Sequence, residues 1–349
     1  MRSFARLDRS IGSVPGPVVA RLRHVDTSRG REQLFQHQLP ALLTELAHRA
    51  RVESITASSA LEGVVVPDRA RAARIIAGKA PVLRNRSEQE FAGYRAALDY
   101  LFAEDWRPLN VGLLLHLHKL LFEQVPAGGG QFKTVDNLVV DRSPDGSREV
   151  RFVPVPAAQT PFFTDELVGR FNAATDEQSH HPVLLIGLFV LDVLTIHPFD
   201  DGNGRVVRAL TNALLADAGY GVGRYVSIEQ LIAETADDYY ASLLASTHGW
   251  HDEANDPWPW LAYFVNVLAS AYERFESRAV SHRSTGTKQD RVRDYVLRAA
   301  PPVFRIADIR TALPGVSDQT IRLVLDALKS EGRIAPDGTG RGAVWRRHA

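Results

Sequence analysis

The chain has 349 residues with 41 basic and 41 acidic side chains, so its formal net charge is zero, and it contains no cysteine. This length predicts two or three domains. The charge balance argues against a protein that wraps nucleic acid with its whole surface, and the lack of cysteine excludes disulfides, thiol nucleophiles and cysteine-bound metals. The best candidate for a membrane span, residues 183–194, is too short, and the N-terminus lacks a signal-peptide pattern. We expect a soluble, cytoplasmic protein without membrane contact.

The first third of the chain predicts helices that follow an irregular start. Residues 1 to about 35 are rich in Gly, Pro and Arg, which is typical of an irregular arm. Apolar residues recur at helical spacing over residues 39–61. Ser87, with Glu90 three residues later, has the pattern of a capping box that begins a second helix. A third helix is expected over residues 110–124, before a run of three glycines.

The middle of the chain predicts one β-hairpin among helices. Segments 137–140 and 149–153 are rich in apolar and β-branched residues and flank a Ser-Pro-Asp-Gly turn, which is typical of a hairpin. Helical periodicity returns after this hairpin. The expected helices cover residues 161–174, 183–196, 205–218 and 258–278.

The last sixty residues have the pattern of a separate module. A short polar segment, residues 281–289, predicts a linker. Beyond it, three helices and a small hairpin follow one another over residues 290–349, in the order of a winged helix-turn-helix. Residues 288–349 carry a net charge of +5 and the rest of the chain −5, which favours DNA binding. Asp318 and Asp326 on the predicted recognition helix oppose it, so the sequence leaves DNA binding and protein docking both open.

The strongest chemical pattern is the sequence HPFDDGNGRVVR at residues 197–208. An almost wholly apolar helix is expected to end just before His197, because Pro198 cannot continue it. The glycines on both sides of Asn203 permit unusual backbone conformations and close approach of a ligand. A helix starts directly afterwards, so its free N–H groups face the same loop and form an anion site.

Charged side chains within the same string point to a triphosphate. Arg205 and Arg208 are three residues apart, share a helix face and can bind phosphate oxygens. Asp201 places a carboxylate beside the same anion, where Mg²⁺ that bridges phosphates would bind. Taken singly, each of these residues has an ordinary structural explanation; together they indicate a site for nucleotide-phosphate transfer.

The string resembles the Fic motif, HPFx[D/E]GNGRxxR, and matches every position that the motif specifies. Fic proteins are mostly helical enzymes that typically transfer AMP from ATP to a hydroxyl of a target protein and release pyrophosphate. The resemblance implies that His197 is the general base and Asp201 the Mg²⁺ ligand. It implies that Arg205 holds the β-phosphate region and Arg208 the γ-phosphate. The implied phosphate-binding residues are Gly202, Asn203, Gly204, Arg205 and Arg208.

A second match to the family lies upstream, at residues 58–63 (SSALEG). It fits the family's inhibitory motif, [S/T]xxxE[G/N], within an expected inhibitory helix at about residues 50–63. The resemblance implies that Glu62 pairs with Arg208 and thereby occupies the guanidinium that otherwise takes the γ-phosphate, while Ser58 tethers the helix. Without the resemblance, the string is an ordinary helix end capped by Gly63. In some family members the same glutamate also promotes removal of AMP, and the sequence leaves that open here.

The resemblance also assigns a function to the predicted hairpin. Residues 133–153 would be a flap that binds the target's modifiable segment as an added strand; the alternative is a plain surface hairpin. The residues expected to contact the target are Asn137, Leu138, Val139 and Val140. The adenine pocket is poorly marked, and Tyr239 or Tyr240 is expected to stack on the base.

Together these patterns predict a mainly α protein: a Fic helical core with a small β-hairpin flap, plus a C-terminal winged helix-turn-helix. The expected organisation is an N-terminal helical region over residues 1–110 and a catalytic core over residues 111–280, followed by the linker and the module. The expected activity is that of an adenylyltransferase with Mg²⁺ as cofactor, ATP as substrate and a protein, the chain itself included, as target. The alternative is a DNA-binding regulator whose Fic core senses nucleotide. A homo-oligomer and transfer of UMP or another group stay open.

Overall fold

Helices dominate the part of the chain that the structure describes. This computed structural model covers residues 2–80, 82–103, 105–142, 148–285, 288–337 and 344–347. The helices are α1 (Arg2–Ala5), α2 (Leu7–Ile11), α3 (Gly16–Gln38), α4 (Pro40–Ala60), α5 (Arg69–Ile76), α6 (Arg86–Ala103), α7 (Val111–Phe122), α8 (Thr160–Glu177), α9 (Pro182–Ile196), α10 (Asn203–Asp217), α11 (Ile228–Glu234), α12 (Ala236–Thr247), α13 (Trp258–Thr285), α14 (Lys288–Asp294), α15 (Ile306–Ala312) and α16 (Asp318–Ser330). The strands are β1 (Val139–Arg142), β2 (Arg148–Phe152), β3 (Val303–Phe304), β4 (Ile334–Asp337) and β5 (Val344–Arg347). The mainly α prediction is confirmed.

The apolar side chains form two separate cores. The larger one draws on α1 to α13, from Phe4 to Ala279, and the smaller one runs from Val292 to Ile334 in the C-terminal elements. In the smaller unit the strands form an antiparallel sheet in the order β3-β5-β4. Its helices and the β4–β5 pair follow one another in the predicted order, with β3 as an unexpected addition. Its identity as a winged helix stays a prediction.

Helix α9 is the central helix of the larger core and the most apolar helix described. Its C-terminal end lies at the candidate site. Nearly all of its side chains are buried, because it packs against α8, α10, α12 and α13. A helix that is apolar all round is stable only when it is covered on all sides. The residue that follows it, His197, is therefore fixed relative to the core.

Helix α4 is fastened to its neighbours by a buried carboxylate. Glu229 of α11 accepts hydrogen bonds from the hydroxyls of Ser54 on α4, at 2.8 Å, and of Tyr94 on α6, at 2.9 Å. The amide of Asn212 on α10 donates to the same carboxylate at 2.8 Å. A buried charge is stable only when several donors surround it, and these donors come from three helices. The network thereby sets the position of α4 against α10.

The N-terminal segment differs from its prediction. The expected irregular arm, residues 1 to about 35, is helical in α1, α2 and most of α3. Val18, Leu22 and Val25 of α3 are buried in the larger core, and their spacing places them on one helix face. Tertiary packing of this face outweighs the Gly and Pro content, since Pro17 stands in the first turn of α3, where proline is tolerated.

Most of the predicted linker is helical, while its role as a boundary between domains stays a prediction. Within residues 281–289, α13 continues to Thr285 and α14 begins at Lys288. Arg is a good helix former, and Ser and His have only moderately unfavourable helix propensities, so a polar composition alone does not end a helix. The second correction concerns α6, which Asn85 caps through its side chain to the N–H of Glu88 at 2.9 Å, in place of the expected Ser87. Helices α5 and α11 were not predicted.

The hairpin prediction is confirmed in its pairing. Strands β1 and β2 are antiparallel, with Val139 opposite Phe152 and Val140 opposite Val150. The strand β1 begins at Val139, two residues later than expected. The predicted turn at residues 143–146 lies outside the described residues. Among the helices that the structure describes, none combines the length and the apolar character that crossing a bilayer requires.

Candidate active site

The loop between α9 and α10 has a backbone that few residue types adopt without strain. His197 is left-handed, with φ 52°, and its N–H donates to the C=O of Val193 at 2.9 Å as the cap of α9. Gly202 is also left-handed, with φ 80°, and a Cβ there would lie 2.8 Å from side-chain atoms of Leu121 and Phe122. Both the dihedral angle and the available space therefore require glycine at position 202.

Asn203 closes this loop from the inside. Its Oδ1 accepts a hydrogen bond from the N–H of Phe199 at 2.9 Å, and its Nδ2 donates to the C=O of Phe199 at 2.8 Å. Both ends of the amide are thus used on the loop backbone. The side chain of Asn203 holds the shape of the loop, so its part in the predicted phosphate nest is limited to the backbone.

His197 has the tautomer and the charge state of a general base. Its Nδ1 lies 3.2 Å from the C=O of Leu194, and because a carbonyl only accepts, Nδ1 carries the proton and Nε2 keeps a free lone pair. Burial lowers the pKa of His197, and the charge of Lys133 lowers it further, against the opposing effects of the Leu194 hydrogen bond, Glu62 and Asp201. The imidazole is therefore neutral at neutral pH and can accept a proton.

The predicted inhibitory residues meet the last arginine of the motif. The Nη2 of Arg208 donates to Oε1 of Glu62 at 2.8 Å and to the C=O of Ser58 at 3.0 Å, and its Nε donates to the Ser58 hydroxyl at 2.9 Å. Arg208 is only 5% exposed and Glu62 29%. Gly63 follows with φ 73°, so it ends the turn after α4 as a left-handed residue. The structure thus brings together residues that lie about 150 positions apart in the chain.

The Glu62 carboxylate lies over the first turn of α10. A Cβ added at Gly204 would come within 2.2 Å of Glu62 Oε1 and 2.7 Å of Arg208 Nη1. Burial works to raise the pKa of Glu62, but the charge and the hydrogen bond of Arg208 outweigh it, so the pKa lies below its ordinary value. An ionised carboxylate therefore occupies a helix N-terminus, which is the position that favours anions.

Asp201 and Arg205 are paired with each other and with α6. Asp201, 50% exposed, accepts from Arg86 at 3.0 Å and from Arg205 at 3.2 Å. Arg205 is 1% exposed and also forms an ion pair with the buried Glu90. It does not line the cavity described below, so its position does not support the prediction that it holds the β-phosphate. A buried guanidinium needs a carboxylate partner, and Glu90 supplies it from a part of the chain that the motif does not cover.

A cavity of about 250 Å³ lies between the motif loop, the hairpin and α12. Its wall includes members of the predicted catalytic, phosphate-binding and inhibitory sets, but not Arg205, Ser58 or Gly63, together with one flap residue and both tyrosines. The predicted residues that line it are Glu62, Val139, His197, Asp201, Gly202, Asn203, Gly204, Arg208, Tyr239 and Tyr240. Arg151 and Phe152 of β2 line it as well and were not predicted.

The two tyrosines differ in what they offer to a base. Tyr239 is buried, which raises its pKa to about 12, and it packs edge-on against Tyr240 and Trp260. Tyr240 donates its hydroxyl to the C=O of Leu61 at 3.3 Å, and the Arg151 guanidinium lies 5.0 Å from its ring centre. Tyr239 is therefore held in an aromatic cluster. The stacking of either ring on adenine stays a prediction.

The flap residues face different ways. Val139 lines the cavity and Leu138 is exposed, whereas the Nδ2 of Asn137 donates to the C=O of Phe199 at 3.1 Å. Asn137 therefore contacts the motif loop, and its side-chain amide is not presented to a target. Asn137 and Leu138 both precede β1. The role of Leu138, Val139 and Val140 in target binding stays a prediction.

His118 supports the loop, and sequence reasoning did not assign it to the site. Its Nδ1 accepts from the N–H of Gly130 at 2.9 Å, so Nε2 carries the proton and donates to the C=O of Asp201 at 3.2 Å. Its ring stacks on Phe199 at 4.0 Å, and burial lowers its pKa to about 4. The run of three glycines after α7 was the available signal, since Gly130 has φ 90° and its N–H turns back onto α7.

Comparison with known proteins agrees with the geometry of the loop. Residues 108–215, from just before α7 to near the end of α10, match the model of the Fic/DOC family. The chain therefore contains a Fic domain over these residues. The match includes the hairpin and the whole motif and ends before α11 and the C-terminal unit.

Curated relatives and solved structures extend this comparison. Over 225 residues, 63% of this chain and 44% of the relative, the chain is 24% identical to a "Protein adenylyltransferase Fic" of Nematostella vectensis. It is 30% identical to the protein of that name from Culex quinquefasciatus over 53% of the chain and 36% of the relative. The chain thus spans less than half the length of these relatives. A Fic family protein from Desulfovibrio desulfuricans superposes with a TM-score of 0.64 at 21% identity, covering 96% of this chain and 97% of that one. This likeness shows that the two proteins share the Fic fold.

Proposed function

We propose that this Fic protein is an adenylyltransferase that transfers AMP from ATP to a hydroxyl of a protein and is autoinhibited by Glu62. One observation carries the proposal: a neutral His197 and the guanidinium of Arg208 share one cavity, and Glu62 already occupies that guanidinium. The names of the curated relatives support the same reaction.

The chemistry follows from the charge states of the side chains. The target hydroxyl attacks the α-phosphorus, and Nε2 of His197 takes its proton. The bond from the α-phosphorus to the bridging oxygen breaks, and pyrophosphate leaves. The N–H groups at the start of α10 and the Arg208 guanidinium stabilise the negative charge on the phosphates. Because His197 is neutral at neutral pH, no prior deprotonation is needed.

The donor set near the cavity fits Mg²⁺. Asp201 offers a hard, half-exposed carboxylate, and within the described residues no group of three or more His, Asp or Glu side chains forms a cage of its own. Mg²⁺ in nucleotide sites is typically bound by one or two carboxylates together with substrate phosphates. We therefore propose Asp201 as the protein ligand, which would release Arg86 or Arg205 from their pairing with it. The ion would neutralise charge on the phosphates.

The inhibition follows from competition for one guanidinium. Arg208 has three of its hydrogen bonds engaged by Ser58 and Glu62, so a γ-phosphate would have to displace the carboxylate. The Glu62 carboxylate and the γ-phosphate would repel each other at the N-terminus of α10. While Glu62 remains there, the triphosphate would be held away from Arg208. Removal of AMP from a modified target by the same glutamate stays open.

Labelled ATP tests the proposal. Purified wild type, Glu62→Gly and Glu62→Gly/His197→Ala are incubated with Mg²⁺ and ATP labelled at the α- or the γ-phosphate, and pyrophosphate release is followed in parallel because water can replace an unknown target. We expect α-label but no γ-label on protein with Glu62→Gly, and none with the double variant or with EDTA. His48→Ala, an exposed histidine of α4, is the matched control for His197→Ala. No label and no pyrophosphate from Glu62→Gly with ATP would contradict an adenylyltransferase.

A second candidate function concerns the C-terminal unit. Helix α16 buries Ile321, Leu325 and Leu328 and leaves Arg322, Asp326 and Lys329 exposed. Its two basic groups are thus interrupted by one carboxylate, in a unit of net charge +5 that phosphates can approach. We propose DNA binding as the candidate for this unit, with docking of a protein as the competing outcome. Retarded migration of DNA fragments that weakens with rising salt would support it. Migration unchanged by the protein at low salt would exclude it.

A further inference from the structure

The segment between α7 and β1 is fastened to the motif loop by backbone-directed hydrogen bonds. The N–H of Lys133 donates to the C=O of Pro198 at 2.9 Å, and its ammonium donates to the C=O of Ile196 at 3.2 Å. The amide of Asn137 donates to the C=O of Phe199 at 3.1 Å and accepts from the Lys133 ammonium at 2.9 Å. Carbonyls on both sides of His197 are thus held by one short segment.

We propose that Lys133, together with Asn137, is a positioning residue that fixes the backbone on both sides of His197 and so aims its imidazole at the reacting hydroxyl. This inference rests on the proposed function for its catalytic consequence. We call Lys133 and Asn137, together with their hydrogen bonds to the motif loop, the strap. The existence of the strap does not depend on the proposed function.

The backbone at His197 needs such support. A left-handed conformation is disfavoured for a residue with a Cβ. It also ends α9, so the C=O of Ile196 has no partner within the helix. The Lys133 ammonium supplies that partner, and a positive charge at a helix C-terminus is favourable in itself. Lys133 thereby stabilises the one residue conformation on which the position of the imidazole depends.

The burial of Lys133 argues that the ammonium has a specific role. Its side chain is 3% exposed, and moving an ammonium out of water is unfavourable unless it is hydrogen-bonded. Burial lowers its pKa to about 8, against the opposing charges of Asp136 and Asp200. Simple packing at this place would be served equally by an apolar side chain of the same length, such as methionine.

The ammonium also acts on His197 through space. The charged groups that act on this imidazole are Lys133, which lowers its pKa, and Glu62 and Asp201, which raise it. Removing the Lys133 charge therefore shifts the His197 pKa upward. A purely structural role elsewhere in the fold would leave this pKa unchanged, so the shift separates the two explanations.

The test compares Lys133→Met, Lys133→Arg and Asn137→Ala with the matched control Lys119→Met, an exposed lysine of α7. The His197 pKa is measured by NMR titration of the imidazole nitrogens in the otherwise wild-type chain, with the signal assigned by its loss in His197→Ala. The kcat and the KM for ATP are measured in the Glu62→Gly background, where the proposed activity is released. Circular dichroism and thermal unfolding check that each variant is folded.

We expect Lys133→Met to raise the His197 pKa and to lower kcat by about 10- to 100-fold, as for small displacements of a catalytic group, with the KM for ATP changed less than about 2-fold. Lys133→Arg keeps the charge and restores most of kcat. Asn137→Ala removes two hydrogen bonds of the strap but no charge, and we expect it to lower kcat as well. It serves as the test if Lys133→Met does not fold. Lys119→Met changes neither quantity.

An unchanged His197 pKa in folded Lys133→Met, or kcat in folded Asn137→Ala equal to that of its parent, overturns the inference. If the Glu62→Gly parent itself transfers no AMP, the proposed function fails, but the NMR comparison still decides whether the strap controls His197. The two failures are therefore distinguishable.

Discussion

Replacing Glu62 by Gln tests the autoinhibitory pairing with the smallest change in shape. The hydrogen bond from Arg208 to a carboxylate would become one to a neutral amide oxygen, while both contacts of Arg208 with Ser58 remain. Hydrogen bonds to charged groups contribute about 1.5–3 kcal/mol and neutral ones about 0.5–1.5 kcal/mol. Loss of a negative charge at the first turn of α10 adds about 0.3–1 kcal/mol. We therefore expect a loss of about 2 kcal/mol in the free energy of unfolding.

Urea unfolding followed by tryptophan fluorescence measures this loss. Trp106, Trp250, Trp258 and Trp260 belong to the larger core and Trp345 to the smaller one, so the signal reports mainly on the unit that contains the site. Glu53→Gln is the matched control, because Glu53 lies on α4, the helix that leads to Glu62, and pairs with Arg49 at the surface. Exposed pairs of this kind contribute about 0–1 kcal/mol.

Nucleotide and pH provide two further signatures of the same variant. Freed Arg208 should bind the γ-phosphate, so ATP with Mg²⁺ should stabilise Glu62→Gln more than wild type; ligand at 100 times its Kd adds about 2.7 kcal/mol. The folded-state pKa of Glu62 is lowered, so its contribution is present above the ordinary pKa of 4.5 and is lost as the pH falls through the folded value. The difference in the free energy of unfolding between wild type and Glu62→Gln should therefore shrink as the pH falls. Equal stability of the two proteins at pH 7, or equal stabilisation by ATP, would refute the reasoning.

Three other predictions concern the supports of the site. Because the pKa of His118 is about 4 in the folded protein and 6.5 in the unfolded chain, the free energy of unfolding of wild type should fall by up to about 3 kcal/mol between pH 6.5 and 4 through this group. Unfolding measurements on His118→Gln over the same pH range should show a smaller fall, and an identical fall would contradict this. Gly202→Ala should destabilise the protein by about 1–3 kcal/mol through its positive φ and contact with Phe122, and a melting temperature equal to wild type would exclude this conflict. Glu229→Gln should cost roughly 2–3 kcal/mol, because the new amide faces donors such as Ser54; unchanged urea unfolding would show that the buried network does not hold α4.

The motif loop shows how far local sequence can go. A helix end before His197, an unusual backbone at the glycines around Asn203 and a new helix directly afterwards are consequences of neighbouring residues. The structure has all three, with Gly202 left-handed and α10 beginning at Asn203, two residues earlier than predicted. The periodic helices of the larger core were predicted for the same reason. Composition gave the wrong prediction for α3 and for the end of α13. Both segments contain residues that favour irregular structure, yet both are helical.

The sequence by itself determined the chemistry of the loop and, through the Fic resemblance, named Glu62 and Arg208 as partners. Only the tertiary structure decided which partners these side chains find: Arg205 pairs with Glu90 of α6, and Asn137 and Lys133 bind the backbone of the motif loop. These contacts join residues that are 62 to 115 positions apart. No periodicity or spacing records such contacts, because they depend on how buried charges and free carbonyls find partners once the helices have packed.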